Sequence, residues 1–198
     1  MAEGWNRVGG AYSLTVISRI LPGHEEELRT YIESLPRGPD SPLARLDTLH
    51  FSRLHILAEL EYQGKPQKPD RLNHGHLVFT SSFDGELRPY LASICELLAP
   101  EADAWWGHCA GYPGTADRTA FERWVREHQV DSALFASAHP HASVAEVHEC
   151  LDLRERLLDF AAVAQGLDAA TLQRRFQEAF AERRIASVRT RPSRVLPQ

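Results

Sequence analysis

The chain has 198 residues and a formal net charge of −5 with ten histidines, and 43% of its residues are apolar. This is the composition of a folded globular protein, and it excludes an intrinsically disordered chain. The net negative charge excludes a nucleic-acid footprint spread over the whole protein. No apolar run approaches the roughly 18 residues of a membrane-crossing helix, and the amino-terminal segment lacks an apolar signal core, so we expect a cytoplasmic protein.

The first predicted elements are a strand and an acidic helix. Residues 11–20 alternate and are rich in β-branched and aromatic types, which is typical of a β-strand. Pro22 and Gly23 end this strand. The segment 24–35 predicts a helix, because its apolar residues repeat at helical spacing and three glutamates occupy the first turn, where negative charge is favourable.

Three more strands and a second helix follow. Strands are predicted over 49–60, 74–83 and 103–112, and a helix over 85–99 with Asp84 as its N-cap. The order β-α-β-β-α-β is that of the ferredoxin-like arrangement. It predicts the α+β class, with a four-stranded antiparallel sheet in the order 4-1-3-2 and both helices on one face.

The rest of the chain predicts a helical extension. We expect a ferredoxin-like unit over 11–114, a helical extension packed on it over 115–182, and a flexible tail over 183–198 that carries five arginines. Helices are predicted over 119–128, after a capping box at Ser143 and Glu146, and after Asp168, and residues 131–137 could add a strand. The tail could touch an anionic surface, although a solvated end is the simpler interpretation.

Strand parity divides the predicted sheet into two faces, because successive side chains point to opposite sides. One set is apolar or small and is assigned to the helices: Tyr12, Leu14, Val16, Leu54, Ile56, Ala58, Leu77, Phe79, Trp105 and Cys109. The other set mixes aromatic, cationic and hydroxyl side chains: Thr15, Arg19, Phe51, Arg53, His55, Leu57, His76, Val78, Thr80, Ser82, Trp106, His108 and Tyr112. Large aromatics beside arginine and histidine are typical of a lined cavity.

The element order, the strand-PG-acidic-helix start and the segments HFSRLHI, FTSSFDG and WWGHCAGYP carry a resemblance over residues 11–112. The chain resembles the dimeric α+β barrel superfamily, which includes antibiotic-biosynthesis monooxygenases, chlorite dismutases and dye-decolorising peroxidases. The motifs resemble those of a poorly characterised bacterial group within it. The resemblance implies a homodimer in which two such sheets enclose a cavity. It does not fix the chemistry.

Histidines supply the candidate polar chemistry. A symmetric hairpin between the second and third predicted strands sets His55 opposite His76 and Arg53 opposite Val78. Such a pair of imidazoles could hold a metal, share a proton or bind an anion with Arg53, and the alternative is a polar strand pair satisfied across a dimer interface. His74 with His76, or His139 with His141, could form further metal pairs. No set of three ligands emerges, so no metal site and no cofactor are assigned.

The sequence therefore leads to three functional hypotheses. The first is a small-molecule-binding homodimer, which as an enzyme would be a monooxygenase-like oxidoreductase acting on an apolar or aromatic anionic substrate. In it, His55 and His108 are the catalytic candidates, and Arg53, His76, Trp106 and Tyr112 bind the substrate. The second is a haem- or metal-binding protein of the same fold. The third is a non-enzymatic interaction module whose carboxyl-terminal helices close the open face.

Overall fold

The computed structural model describes residues 4–58, 64–66 and 72–180. The strands are β1 (Arg7–Val8), β2 (Ala11–Arg19), β3 (Leu49–Leu57) and β4 (His76–Asp84). The helices are α1 (Glu25–Ser34), α2 (Leu87–Leu97), α3 (Ala99–Trp106), α4 (Arg118–His128), α5 (Val144–Val163) and α6 (Ala169–Phe180), and short 3-10 turns lie at Gly38–Asp40 and Pro42–Arg45. Within the described ranges, no helix combines the length and apolarity needed to cross a bilayer.

The four strands form one antiparallel sheet in the order β1-β2-β4-β3. α1 connects β2 to β3, while β4 lies between those two strands. The α+β class and the four-stranded antiparallel sheet are confirmed, and the first three long strands form close to their predicted positions.

The predicted fourth strand over 103–112 is wrong, and with it the sheet order 4-1-3-2. This segment forms the end of α3 and a turn, and only Cys109 pairs with the sheet, through a single bridge to Ile20. Proline in the first turn and the alanine- and acid-rich start favour a helix here. The free edge of β2 is filled instead by three short pieces: β1 at its start, Gln129 opposite Val16, and Cys109 at its end.

The hydrophobic core lies on the helix-facing side of the sheet. Residues of β2 and β4 alternate between buried and accessible, and the buried set contains Leu14, Val16, Leu77 and Phe79, as parity predicts. α4 adds Phe121, Trp124 and Val125, as its predicted amphipathic pattern implies. Burial of this apolar surface is the main contribution to the stability of the sheet and the helices packed on it.

The chain divides into two compact units, one that ends at Val147 and one that begins at His148. In the second unit, Phe160, Phe176 and Phe180 pack together with ring centroids 4.8–5.7 Å apart. Asp168 caps α6 as predicted, since its Oδ1 accepts the amides of Ala170 and Thr171. Those hydrogen bonds lower the pKa of the Asp168 carboxyl. The arginine-rich tail over 183–198 lies outside the described residues.

Of three further local predictions, one is confirmed and two are wrong. The capping box is confirmed, because the amide of Ser143 donates to Glu146 and the amide of Glu146 donates to the Ser143 hydroxyl. Asp84, by contrast, does not cap α2. Its two carboxylate oxygens bind Nε2 of His50 and the amide of Val144, both at short range (2.8 and 2.7 Å), so it anchors the start of α5 instead. Residues 131–137 form no strand.

Candidate functional site

The sheet face opposite the core carries none of the buried residues of β2, β3 and β4, and we call it the open face. Strand pairing arranges it in four rows: Phe51–Ser82–Ser13, Arg53–Thr80–Thr15, His55–Val78–Ile17 and Leu57–His76–Arg19. Three of its apolar side chains are largely accessible, with exposed fractions of 74% for Phe51, 40% for Leu57 and 36% for Ile17. An apolar patch of this kind on a protein surface is typical of a binding site.

The hairpin register differs from the symmetric one. His55 lies opposite Val78 and Arg53 opposite Thr80, so the pairing is shifted by two residues and His76 lies opposite Leu57. The predicted direct pair of His55 and His76 is therefore wrong, and the two imidazoles are diagonal neighbours. A shift of two preserves which side each residue points to, and so the parity assignment of these strands remains correct.

The open face is cationic, although the whole chain is acidic. Arg19, Arg53, His55 and His76 belong to it, and the acid among its described strand residues is Asp84, at one end and already bound to His50 and Val144. Arg53 forms no ion pair with any described residue. A guanidinium beside a threonine and an exposed aromatic ring is suited to an anionic group.

Three predicted site residues lie away from the open face. Trp106 is fully buried in the core, 5.1 Å from the ring of Phe79 and 5.5 Å from that of Phe121. Tyr112 packs against the same cluster and donates its hydroxyl hydrogen to Asp103 at 2.7 Å, and burial followed by that carboxylate raises its pKa. His108 lies in the turn after α3. The physical reason is the same for all three: the segment forms the end of α3 and a turn and not a strand, so strand parity does not apply.

His108 instead meets residues of the α1 start, and we call His24, Glu27 and His108 the histidine–glutamate cluster. One ligating atom from each of the three lies within 4.8 Å of the others. Nδ1 of His24 and Nδ1 of His108 are 3.0 Å apart, and the rings meet edge-on at 65°. His24 and His108 are half-buried and Glu27 is exposed, so solvent can reach the cluster.

Backbone hydrogen bonds fix the two histidines relative to each other. The amide of Leu21 donates to the carbonyl of His108 at 2.9 Å, and the amide of Ala110 donates to that of Arg19 at 2.8 Å. Gly23 has a φ of +83°, which turns the chain between β2 and α1 and suits glycine. His24 is the N-cap residue of α1 but caps no amide with its side chain, so its imidazole is free to face His108.

Sequence reasoning missed this cluster. The sequence pattern puts His24 in the acidic helix over 24–35 and His108 in the strand predicted over 103–112. A usable signal was present: each histidine follows a glycine at the end of an element, in PGHEEE and in WWGHC. Such turns at neighbouring ends of a sheet bring side chains together.

Cys109, next to His108, is a packing residue. Burial raises the pKa of its thiol to about 11, and the hydrogen bond from the Ser18 hydroxyl at 3.2 Å offsets this only in part. A thiol with so high a pKa carries little thiolate near neutrality and is a poor nucleophile.

A cleft of about 340 Å³ lies between the start of α2 and the end of α4. Its three arginines already have acidic partners: Arg7 pairs with Glu86 at 2.6 Å, and Arg126 and Arg88 share Glu122 at 3.0 and 3.4 Å. The cleft therefore offers less unmatched charge than the open face. Comparison with family models, with curated proteins and with solved structures gives no match for this chain.

Proposed function

We propose that the chain is a small-molecule-binding protein whose open face receives an aromatic anion and is closed by the same face of a second copy. The observation that carries the proposal is the composition of that face, in which Arg53 and three further cationic or titratable side chains surround exposed apolar residues. The pairing of two such faces is what the resemblance to the dimeric α+β barrel superfamily implies.

The positive charge of the open face couples the binding of an anion to the formation of the dimer. A two-fold axis sets identical faces against each other, so the face that carries Arg19 and Arg53 would lie against a face that carries the same two arginines. Like charges brought together at an interface oppose association. An anion between the two faces offsets that repulsion, while its aromatic part contacts Phe51, the exposed ring two residues from Arg53 on the same side of β3. The dimer and the bound anion should therefore stabilise each other.

The roles of the individual residues follow from their rows. Arg53 binds the anionic group, with the Thr80 hydroxyl beside it. If the protein is an enzyme, His55 and His76 are the proton-transfer candidates on this face, and a monooxygenase-like oxidation is the reaction class that we propose for it. Trp106, Tyr112 and His108 take no part, because the first two belong to the core and the third to the histidine–glutamate cluster.

The test uses the fluorescent aromatic sulfonate 8-anilinonaphthalene-1-sulfonate as the probe. Arg53→Ala should weaken probe binding by about tenfold, the effect of losing one charge-assisted hydrogen bond. Arg123→Ala is the matched control, since Arg123 is an exposed arginine on α4 that belongs to no row of the open face. Equal probe affinity in the wild-type protein and in Arg53→Ala would overturn the proposal.

A further inference from the structure

We propose that His24, Glu27 and His108 bind a divalent first-row transition-metal ion, with Zn²⁺ as the best fit, through two Nδ1 atoms and one carboxylate oxygen. This site is separate from the open face and does not depend on the function proposed above. It is carried by the convergence of the three ligating atoms within 4.8 Å on two segments that are hydrogen-bonded to each other.

The spacing of the two nitrogen atoms is close to that of metal-bound imidazoles. Zn²⁺ binds histidine nitrogen at about 2.0–2.1 Å with tetrahedral angles, which places two such ligands roughly 3.3 Å apart. The observed distance between the two Nδ1 atoms is 3.0 Å. The two nitrogen atoms, which are hydrogen-bonded to each other, are therefore already at the spacing of two ligands of one ion. Coordination requires the two rings to turn so that both lone pairs face the ion, and Glu27, which is exposed, has the freedom to close on it.

The type of ligand selects the class of metal. Imidazole nitrogen suits Zn²⁺, Cu²⁺, Fe²⁺ and Ni²⁺, whereas Mg²⁺ and Ca²⁺ prefer oxygen. Two histidines and one carboxylate occupy three positions and leave at least one open for water or a small ligand. Cys109 is not a competing ligand, because its sulfur accepts the hydrogen bond from Ser18 in the core.

The local charge also permits a cation at this helix end. The amino terminus of a helix carries a partial positive charge, which by itself disfavours a metal ion. Glu25, Glu26 and Glu27 fill the first turn of α1 and oppose that charge. Glu25 is fixed by the amide of Gly75 at 3.0 Å, which leaves Glu27 as the carboxylate available to the ion.

Equilibrium dialysis of the EDTA-treated full-length protein against Zn²⁺ tests the site. We expect one ion per chain, and a loss of affinity of about a hundredfold or more in His24→Ala and in His108→Ala, because removing a ligand should cost at least as much as removing its supporting hydrogen bond. Glu27→Gln should weaken binding less, since an amide oxygen is a poorer ligand than a carboxylate. Co²⁺ in place of Zn²⁺ should give a visible absorption spectrum that both histidine substitutions abolish.

Two matched controls separate this site from other histidines and carboxylates. Glu26→Gln removes the neighbouring charge in the same helical turn, and His76→Ala removes an imidazole of the open face, so both should bind Zn²⁺ like the wild-type protein. Melting curves without metal show that each variant is folded. Absence of a stoichiometric ion in the wild-type protein, or equal binding by the wild-type protein, His24→Ala and His108→Ala, would overturn the proposal.

Discussion

The two faces of the sheet differ in how far their side chains are buried. On the helix-facing side, every residue of β2 from Tyr12 to Ser18 and of β4 from Leu77 to Phe83 that points inward is buried. On the open face, none of the strand residues is buried, and Phe51 is 74% exposed. The contrast indicates that the helix-facing side stabilises the fold, and it is consistent with our proposal that the open face binds a ligand. Each face should therefore respond to substitution in its own way.

The largest expected difference is in stability. Trp106→Ala removes a fully buried indole from an aromatic cluster and should lower the free energy of unfolding by about 3–5 kcal/mol. Phe51→Ala removes an aromatic ring of similar chemistry from the open face and should change it by less than about 0.5 kcal/mol in the monomer. Urea denaturation measures both. A comparable loss in the two variants would remove the distinction between the faces.

Asp84 is expected to be the exception on the open face. Its carboxylate binds His50 and the first amide of α5, so Asp84→Ala should lower the free energy of unfolding by about 1–2 kcal/mol, as the loss of a helix cap does. Asp47→Ala, an exposed aspartate before β3, is the control and should have no effect. If the two variants unfold at the same urea concentration, Asp84 is not an anchor.

A smaller, pH-dependent effect should arise on the helix-facing side. Cys109 has a thiol pKa raised by burial from 9.0 to about 11, so the unfolded chain loses this proton first as the pH rises. Stability should therefore be retained below pH 9 and fall between about pH 9 and 11, by up to about 1.4 kcal/mol per pH unit for this group.

Cys109→Ala should flatten that alkaline decline, whereas Cys150→Ala should not, because Cys150 is exposed. Urea denaturation at a series of pH values gives the slope of unfolding free energy against pH for each variant. The slopes are compared, because the absolute stability of Cys109→Ala also reflects the lost hydrogen bond from Ser18. An unchanged slope in Cys109→Ala would show that this thiol does not carry the effect.

The sequence was a sound guide wherever a regular element decided the outcome. Alternation in β2, β3 and β4 predicted which side chains enter the core, and a register error of two residues left that result intact because the side-chain period is two. Capping chemistry at Ser143 and Asp168 was equally readable.

Prediction from the sequence failed where the tendencies to form a strand and a helix competed. Residues 103–112 hold aromatic and small residues that suit a strand, but Pro100 and the acidic start of the segment favour the helix that forms. That single error moved Trp106 and Tyr112 from a proposed cavity into the core and concealed the contact between His24 and His108. Contacts between two turns depend on tertiary structure, which local periodicity does not encode.

In our proposal, the open face binds an anion and is closed by a second copy of the chain. Light scattering with and without 8-anilinonaphthalene-1-sulfonate tests it most directly, on the wild-type protein and on Phe51→Asp. We predict twice the chain mass of 22.3 kDa for the wild-type protein in the presence of the probe, and the single mass for Phe51→Asp, whose carboxylate cannot be buried at the interface. A wild-type monomer under both conditions, or a dimer that Phe51→Asp leaves intact, would contradict the account.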